Sequence, residues 1–401
     1  MLDHRIVVMF LIDRLSIGGT EQQLLDLVKG MDKSRFMPLV VSLYPGGPLE
    51  QEIKRAQGVE LISLNRKGKF DFLIVLKVLQ LLRRKKVDII QPFLTPATFF
   101  GLVPAIVNRT TATIVTERGR VNQKVRPGTK LYWVAENFLA RYADWVVANS
   151  YAGKHSLIER GIEPYRIRVI YNGINLERLM PRADRVTQIR TQLGLPPGGQ
   201  VVGIVGNLRP VKDHATFLRA AALISQVLPQ TRFAIVGDGE LRVSLEQMAR
   251  ELNLDSSVKF FGRQSDVGSY ISAFDVACLC SLSEGCSNSI LEAMALGKPV
   301  VVTDAGGDKE LVSPRETGLL VPTRSPRALA DDLLVCLKQP QWAQEMGLRA
   351  QQQVLDRFGL DRMVREYQDL YEDVLRVKKR GDYYVEKRET WGGSRDARLQ
   401  R

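Results

Sequence analysis

Two glutamates, Glu284 and Glu292, lie eight residues apart in a segment rich in small and polar residues. The segment, residues 283–301, reads SEGCSNSILEAMALGKPVV, and we predict that a strand ends near Cys280 and a helix begins close to Ser287–Ser289. A helix that starts after such a loop attracts anions, because free backbone N–H groups and the positive end of the helix dipole point at the loop. The spacing can place one carboxylate near a sugar and the other near a ribose, whose vicinal hydroxyls are donors. The segment therefore predicts a binding site for a phosphorylated, hydroxyl-rich ligand.

Glu292 also allows a purely structural interpretation. The run Ser289-Ile290-Leu291-Glu292 fits a capping box, in which a serine and a glutamate three residues apart hold each other's backbone N–H groups at the start of a helix. In that case the carboxylate would be engaged inside the protein and would not face a ligand. The sequence leaves both interpretations of Glu292 open.

Arg209 and Lys212 form a second candidate group. They follow a predicted strand that ends at Gly206, and so belong to the carboxyl edge of a sheet, where α/β proteins bind ligands. Two cations three residues apart suit a diphosphate, because arginine can fork two oxygens while lysine supplies a point charge. The alternative is a solvated surface pair. We interpret the nearby His214 as a packing residue at the start of a helix rather than as a catalyst.

Glycines mark three further loops that follow predicted strands. Gly18 and Gly19 come after the first strand, where paired glycines let the backbone approach a ligand closely. Their spacing is not GxGxxG, so a dinucleotide site is a weak interpretation. In the second half of the chain, Gly237 and the pair Gly262-Arg263 stand where backbone groups can meet a base. Each of these loops taken alone is also compatible with an ordinary turn.

Short β-rich runs alternate with helical patterns along the whole chain, which places these loops at the ends of strands. Strands this apolar, separated by helices, indicate parallel sheets covered on both faces, and two such sets predict two Rossmann-like, doubly wound α/β domains. The predicted strands are residues 5–11, 38–43, 60–63, 88–91, 112–116, 145–149 and 168–171, then 201–206, 232–237, 257–261, 275–280, 299–303 and 318–321.

The composition predicts where the two domains meet. Residues 1–180 form the first domain, and the proline- and glycine-rich residues 181–200 form a linker with one short helix. Residues 201–357 form the second domain. We expect a last helix, about residues 358–377, to pack back on the first domain. From residue 378 the chain is polar without apolar periodicity, and we expect a flexible tail over residues 378–401.

The formal net charge is +13, and the whole excess of Lys and Arg over Asp and Glu lies in residues 1–200. A basic domain indicates an anionic partner, such as a membrane surface, a lipid phosphate or a nucleic acid. Aromatic residues are only 7% and are not interleaved with the basic residues, which argues against a nucleic-acid-binding module.

The run Leu73–Lys86 is apolar for most of its length and ends in four basic residues, Arg83, Arg84, Lys85 and Lys86. Such a run suits a helix that lies in the interface of an anionic membrane, and the loop 118–130 adds further basic residues. The alternative is a core helix whose terminal basic cluster is solvated and favoured by the helix dipole. Both interpretations are compatible with the sequence.

The other bulk features predict a cytoplasmic protein. The first residues lack the layout of a signal peptide, and the longest apolar stretch, Pro92–Val107, is shorter than the roughly 20 residues that span a bilayer. The cysteines fit no zinc pattern, and we interpret them as reduced thiols of a core. They are Cys278, Cys280, Cys286 and Cys336. Docking of the basic run would make the protein peripheral on the inner face of the cytoplasmic membrane.

In combination, these motifs resemble retaining glycosyltransferase family four (glycosyl transferases group 1), over nearly all of residues 1–375. The glutamate pair is followed by Glu-Ala-Met-Ala at 292–295, and the elements Gly-Asn-Leu-Arg…Lys, Val-Gly-Asp-Gly and Phe-Gly precede it in the family's order. The resemblance implies the B-type glycosyltransferase fold (GT-B), in which two Rossmann-like domains face a central cleft. It also implies transfer of a hexose-type sugar from a nucleoside-diphosphate sugar with retention of anomeric configuration.

The resemblance implies roles for individual residues. Arg209 and Lys212 would hold the donor diphosphate, Glu284 would face the transferred sugar and Glu292 would bind the ribose. The chain around Gly237 and Arg263 would contact the base. Gly18 and Gly19 would lie near the phosphates. Backbone N–H groups that would contact sugar or phosphate are those of Gly285, Cys286, Ser287 and Asn288. The family needs neither metal nor other cofactor, because these cations supply the compensating charge.

On the acceptor side the chain departs from the family. Many members carry a histidine in the loop that is here 91–98, and this loop has none, so no general base is named. The donor is expected to be a UDP-sugar, with a GDP-sugar second, and the acceptor a lipid-linked or glycan molecule of cell-surface assembly. Alternatives are a sugar-nucleotide epimerase, hydrolase or phosphorylase on the same fold, or a non-catalytic partner of another transferase. Acceptor-side candidates are Gln91, Thr95, Glu117, Arg118 and Arg120.

Overall fold

The computed structural model describes residues 5–68, 71–118 and 137–380, with side chains up to residue 378. The described chain divides into two compact units. Unit 1 holds the residues up to Arg118, those from 137 to Tyr171 and those from Leu360 onward. Unit 2 holds Asn172–Gly359.

The described part of unit 1 contains a seven-stranded parallel sheet in the order β3-β2-β1-β4-β5-β6-β7. Its strand β1, IVVMFLI, lies between two other strands and is buried throughout, as expected for a parallel sheet covered on both faces. The strands are Ile6–Ile12 (β1), Phe36–Ser42 (β2), Glu60–Ser63 (β3), Ile89–Phe93 (β4), Ala112–Glu117 (β5), Trp145–Ala148 (β6) and Ile167–Val169 (β7).

The described part of unit 2 contains a six-stranded sheet, also parallel, in the order β10-β9-β8-β11-β12-β13. Chain order reverses between β8 and β11, so the loops after these two strands open at the switch point where such sheets bind ligands. The strands are Val201–Val205 (β8), Arg232–Val236 (β9), Val258–Gly262 (β10), Val276–Leu279 (β11), Val300–Thr303 (β12) and Leu319–Val321 (β13).

Helices connect the strands in both units. They are Gly19–Gly30 (α1), Glu50–Arg55 (α2), Leu73–Arg84 (α3), Thr95–Asn108 (α4), Tyr151–Glu159 (α5), Leu176–Leu179 (α6), Ala183–Gln192 (α7), His214–Val227 (α8), Arg242–Glu251 (α9), Val267–Ser272 (α10), Asn288–Ala295 (α11), Pro326–Lys338 (α12), Pro340–Arg357 (α13) and Leu360–Arg380 (α14), with 3₁₀ turns at Pro164–Arg166, Pro210–Lys212 and Asp308–Glu310.

Side chains of β1 alternate between two cores of unit 1. Val8 and Phe10 pack toward α1 and α14, whereas Met9 and Leu11 pack toward α3 and α4. The last helix belongs to the first of these cores. The phenol of its Tyr371 is fully buried and lies edge-on to the Phe10 ring. The carboxyl-terminal helix therefore forms part of unit 1.

The two-domain α/β fold predicted from the sequence is confirmed, and each predicted strand is present with its ends shifted by at most two residues. The division between units lies earlier than the predicted boundary, because residues 172–180 and the expected linker 181–200 are part of unit 2. Helix α7 of that segment buries Ile189, and Arg190 donates a 2.8 Å hydrogen bond to the carbonyl of Ala273. The four cysteines are buried free thiols.

Within the described residues, every helix is too short or too polar to cross a lipid bilayer.

Candidate functional site

Three glycine-containing loops meet at the carboxyl edge of the sheet of unit 2. The N–H of Gly237 donates a 2.8 Å hydrogen bond to the carbonyl of Gly262, and the N–H of Gly206 donates to Val236 at 2.9 Å. Gly237 has a φ of +141°, and a Cβ there would collide with the carbonyl of Gly206. Only glycine allows this approach, which brings the loops after β8, β9 and β10 together.

Lys212 and Glu284 form an ion pair between the loops after β8 and β11. The side chains are only 18% and 15% exposed. Ser281 donates a second hydrogen bond to the same Glu284 oxygen at 2.7 Å, and the N–H of Leu282 donates to the carbonyl of Val211 at 2.8 Å. The structure thus joins two motifs that the sequence presents separately.

Arg209 and Arg263 remain exposed at the same carboxyl edge, after β8 and β10 respectively. Neither side chain forms a hydrogen bond or an ion pair with any residue that the structure describes. Because Lys212 is already paired with a carboxylate, Arg209 carries the uncompensated positive charge of its loop. A solvent-facing guanidinium next to an edge of backbone amides is suited to bind a phosphate oxygen.

The loop before α11 is hydrogen-bonded to the loop after β12. The N–H of Gly307 donates to the carbonyl of Glu284 at 3.0 Å, and the N–H of Ser287 donates to Asp308 Oδ1 at 3.2 Å. Asp308 is fully buried, and burial raises its pKa well above the ordinary value. The nearby Glu284 adds to this rise, whereas Lys212 opposes it. The Ser287 N–H, predicted to contact sugar or phosphate, is therefore engaged by a buried carboxyl group.

Glu292 does not form the capping box that its sequence allows. Helix α11 begins at Asn288, so Ser289 lies inside the helix, and the Ser289 hydroxyl is instead 3.0 Å from that of Ser287. Arg178 Nη2 donates a 2.7 Å hydrogen bond to Glu292 Oε1, and the glutamate side chain is 9% exposed. The capping-box interpretation is wrong because the helix starts two residues too early for it, with Ser287 rather than Ser289 at the N-cap.

Four residues near the predicted site escaped the sequence analysis: Asn172, Arg178, Ser281 and Asp308. Asn172 Nδ2 donates to the carbonyl of Cys286 at 2.9 Å and to Asn288 Oδ1 at 2.7 Å. Asp308 follows Gly306-Gly307 at the end of β12, so the rule that ligands bind at the carboxyl ends of strands points to it. Arg178 had no comparable signal, because it lies on a short helix far from any strand end.

The glycine loop of unit 1 carries a carboxylate of its own. Gly18 caps α1 in extended conformation, and a Cβ there would collide with Glu21 Oε2. Ser16 donates a 2.7 Å hydrogen bond to the other oxygen of Glu21. Gly18 therefore allows a carboxylate to lie against the helix start. The role of Gly18 and Gly19 near donor phosphates stays a prediction.

Gln91, an acceptor-side candidate, lies in the core of unit 1. The side chain is fully buried. Its amide nitrogen Nε2 donates a hydrogen bond to Thr116 at 2.8 Å, and its Oε1 accepts one from the Tyr371 hydroxyl at 2.5 Å. Tyr371 of the carboxyl-terminal helix engages the amide oxygen, and Thr116 of the neighbouring strand β5 engages the amide nitrogen. Thr95 is also buried, at the first position of α4.

Two further acceptor-side candidates, Glu117 and Arg118, have partners within unit 1. Glu117 accepts a 2.6 Å hydrogen bond from Arg160. Arg118 donates to the Tyr367 hydroxyl at 3.1 Å, and its guanidinium lies 5.2 Å from the centre of the Phe93 ring. Arg120 lies outside the described residues.

His214 is fully buried at the start of α8, in agreement with its interpretation as a packing residue. Burial, with Lys212 nearby, lowers the pKa of His214 to about 3. Neither ring nitrogen has a hydrogen-bond partner among the described residues. The imidazole is therefore neutral at physiological pH. Within the same part of the chain, no three His, Cys, Asp or Glu side chains are grouped so that they could hold a metal ion.

The chain is similar to known proteins over both units. The model "Glycosyltransferase Family 4" matches residues 17–178, and "Glycosyl transferases group 1" matches residues 186–353. The N-acetyl-alpha-D-glucosaminyl L-malate synthase of Bacillus anthracis is 30% identical over 57% of this chain and 61% of its own length. The UDP-Gal:alpha-D-GlcNAc-diphosphoundecaprenol alpha-1,3-galactosyltransferase of Escherichia coli is 27% identical over 76% of this chain and 80% of its own. The chain thus spans about three fifths of the first relative's length.

Solved structures share the fold. The Anabaena protein HepE in complex with UDP-glucose superposes with a TM-score of 0.80, at 25% identity over 92% of this chain and all of its own. The sucrose-phosphate synthase of Thermosynechococcus elongatus superposes with a TM-score of 0.77 at 22% identity, over 93% of this chain and all of its own. The two parallel sheets with alternating helices match the GT-B fold of these neighbours. With both units matched by its models, the chain belongs to glycosyltransferase family 4.

Proposed function

We propose that the protein transfers a hexose-type sugar from a nucleoside-diphosphate sugar to a lipid-linked or glycan acceptor of the cell surface. The observation that carries the proposal is the Lys212–Glu284 pair, which lies at the switch point of a parallel sheet beside the exposed Arg209. A diphosphate needs cations, and a sugar needs an acceptor of hydroxyl hydrogen bonds. This edge of unit 2 offers both.

In the proposed complex, Arg209 and Lys212 bind the diphosphate and Glu284 accepts hydrogen bonds from the transferred sugar. Glu292 accepts from the ribose, and the backbone after β9 and β10 together with Arg263 contacts the base. Two cations next to backbone amides stabilise the charge that develops on the leaving diphosphate, so the proposed mechanism needs no metal ion or other cofactor.

Transfer proceeds with retention, on one face of the sugar. The bond between C1 and the phosphate oxygen breaks, the acceptor oxygen bonds to C1, and the acceptor proton passes to the leaving phosphate oxygen. His214 is unsuited as the general base because it is fully buried and the phosphate-side Lys212 disfavours its protonation. The leaving group itself is the proposed base.

A UDP-sugar is the first proposed donor, and a GDP-sugar the second. The HepE structures contain UDP or UDP-glucose by their descriptions, and the Escherichia coli relative is named for UDP-galactose. The name of the same relative specifies a diphosphoundecaprenol acceptor. We therefore propose a polyprenyl-diphosphate-linked sugar as the first acceptor to test.

Incubation with UDP-glucose, UDP-galactose, UDP-GlcNAc and GDP-mannose tests the proposal, with and without a diphosphoundecaprenol-linked GlcNAc. We expect nucleoside diphosphate to be released only when the acceptor is present. NMR should show that the sugar in the product is α-linked. Release without acceptor would indicate a hydrolase, and conversion of the donor to another nucleotide sugar would indicate an epimerase. If no donor is bound or consumed, the non-catalytic partner of another transferase becomes the better proposal.

We also propose that helix α3 docks on the anionic inner face of the cytoplasmic membrane to reach such an acceptor. Ile74, Val78 and Leu82 of α3 are buried, so the helix is a core helix of unit 1. Its opposite stripe nevertheless carries Leu73 and Leu76, which are 66% and 62% exposed. Two apolar side chains at one end of the exposed stripe can enter the lipid interface.

Basic residues follow at the carboxyl end of α3. Arg83, Arg84 and Lys86 are exposed, whereas Lys85 is paired with Glu60 at 2.6 Å. Each basic residue near an anionic surface contributes about 1 kcal/mol, and the apolar contacts of Leu73 and Leu76 add to this attraction. Apart from Arg118, the basic residues of the loop 118–130 lie outside the described residues, and the proposal rests on α3 alone.

A further inference from the structure

Residues 172–178, which we call the strap, begin the segment Asn172–Gly359 of unit 2 and contact the predicted donor-binding segment at two points. At one end, Asn172 bonds to the carbonyl of Cys286 and to the Asn288 side chain. At the other end, Arg178 bonds to Glu292 at 2.7 Å. The strap therefore reaches both the loop before α11 and the second turn of that helix.

Arg178 is held in place by its own backbone. Asn175 caps the short helix α6, and its Oδ1 accepts from the Arg178 N–H at 3.3 Å. The next residue, Leu179, is 1% exposed, and its carbonyl lies where a Cβ on Gly268 of α10 would collide with it. Three residues later, the N–H of Arg182 donates to Ser269 of α10 at 2.9 Å. Because α6 is fixed on α10, the Arg178 guanidinium approaches Glu292 from a defined side.

Glu292 needs such a partner. Glu292 is only 7% exposed and its neighbours in α11, Leu291 and Ala293, are buried, and a carboxylate that is removed from water is stabilised by a compensating cation. An ionised carboxylate has about four acceptor sites, so a guanidinium contact does not exhaust it. The vicinal hydroxyls of a ribose are donors and require an ionised, correctly turned carboxylate.

We propose that Arg178 is a positioning residue for nucleotide recognition, which orients the Glu292 carboxylate and thereby makes the donor site prefer ribose over deoxyribose. The inference rests on the proposed function, in which Glu292 accepts hydrogen bonds from the donor ribose. Arg178 itself does not touch the nucleotide in this proposal. Arg178 affects only the hydrogen bonds that Glu292 accepts from the ribose hydroxyls. The contacts to the base and to the diphosphate do not depend on it.

Calorimetric titration of the full chain with UDP, 2′-deoxy-UDP and 3′-deoxy-UDP tests this division. The wild type should bind UDP about tenfold or more tightly than the weaker deoxy analogue, since a hydrogen bond to a charged group is lost. Arg178→Gln should reduce this preference at least threefold, and Glu292→Gln should abolish it. The double variant Arg178→Gln/Glu292→Gln should not reduce the preference for ribose below that of Glu292→Gln alone. GDP and 2′-deoxy-GDP are titrated in parallel, because the contact does not involve the base.

Arg182→Gln is the matched control, because Arg182 follows α6 and its side chain pairs with the exposed Asp184. It should keep the wild-type ribose preference. If Arg178→Gln does not fold, Arg178→Met keeps the aliphatic stem and replaces it in the test. Weaker UDP binding with an unchanged ribose preference would overturn the inference and leave Arg178 a merely structural residue.

The result with Glu292→Gln separates the inference from the proposed function. If that variant keeps the full ribose preference, Glu292 does not bind the ribose, and the donor-site assignment fails together with the inference. If it loses the preference while Arg178→Gln retains it, the assignment stands and only the role of Arg178 is refuted. Absence of both UDP and GDP binding to the wild type would refute the proposed donor class and, with it, the inference.

Discussion

Lys212 and Glu284 form an ion pair although 72 residues separate them in the sequence. Each belongs to a different loop at the carboxyl edge of unit 2, and each side chain is less than one fifth exposed. The pair is neutral as a unit, whereas Arg209 and Arg263 at the same edge are exposed and have no ionic partner within the described residues. On the loop after β8, a donor diphosphate would therefore meet one fully available cation and one that is shared with a carboxylate.

Replacing either partner of this pair should affect both activity and stability. Lys212→Ala and Glu284→Gln are each expected to lower kcat at least about tenfold, because a charge-assisted contact in the site is lost. Lys212→Ala should also lower the free energy of unfolding by about 1–3 kcal/mol, since it leaves the Glu284 carboxylate half-desolvated without its cation. Steady-state kinetics and urea unfolding measure the two effects.

Arg209→Ala provides the matched control for that experiment. It removes an exposed cation without an ionic partner from the same loop, so we expect weaker nucleotide binding with unchanged urea unfolding. Full activity in either variant of the Lys212–Glu284 pair would remove that residue from the proposed donor site.

Asp308→Asn should stabilise the protein increasingly as pH rises. Burial raises the pKa of Asp308 above its ordinary value of 3.8, so the folded state holds a proton that the unfolded state releases between 3.8 and the folded-state pKa. Wild-type stability from this group is therefore complete below about pH 4 and is lost as pH rises through that window. The asparagine keeps an oxygen that can accept from Ser287 and does not titrate.

Urea unfolding of the wild type and Asp308→Asn from pH 4 to pH 8 measures this difference. It should grow in favour of the variant by up to about 1.4 kcal/mol per pH unit inside the window. A difference that is independent of pH would show that Asp308 titrates alike in both states. A difference that favours the wild type at high pH would show that the folded state stabilises its charge.

Activity should survive treatment with a chelator. In the proposed mechanism Arg209 and Lys212 supply the positive charge that a divalent ion supplies in metal-dependent enzymes. Removing metal ions should therefore break no contact with the substrate. The assay compares turnover before and after incubation with EDTA, followed by gel filtration. Loss of activity that magnesium or manganese restores would contradict the metal-free mechanism.

Neutralising the exposed basic residues of α3 should weaken binding to anionic vesicles. Co-sedimentation of the wild type with phosphatidylglycerol-containing vesicles should fall steeply with salt and be absent with phosphatidylcholine alone. The variant with glutamine at positions 83, 84 and 86 should lose most of this binding, and Leu73→Ser with Leu76→Ser should weaken it further.

A charge-matched variant of unit 2, with glutamine at the exposed positions 219, 250 and 338, controls for net charge. It should sediment like the wild type. Equal loss in both triple variants would indicate an effect of net charge alone, and equal binding to neutral and anionic vesicles would refute electrostatic docking.

The alternation of apolar runs with amphipathic segments was sufficient to predict the strands and the two α/β units, because the periodicity of a buried strand or helix is a local property of the chain. The rule that ligands bind at the carboxyl ends of parallel strands then predicted Arg209, Lys212 and Glu284 as site residues from the sequence. These predictions needed only the identity of neighbouring residues.

Pairing between distant side chains required the tertiary structure. Glu292 is bonded to Arg178, 114 residues earlier, and Gln91 is engaged by Tyr371, 280 residues later. The sequence around Glu292 offered a capping box, and the loop around Gln91 offered an acceptor contact, since neither local pattern reveals what packs against it. The packing of helices on the sheets decides which polar groups are buried and which cation or hydroxyl forms a hydrogen bond with each of them. That packing depends on contacts between residues far apart in the chain.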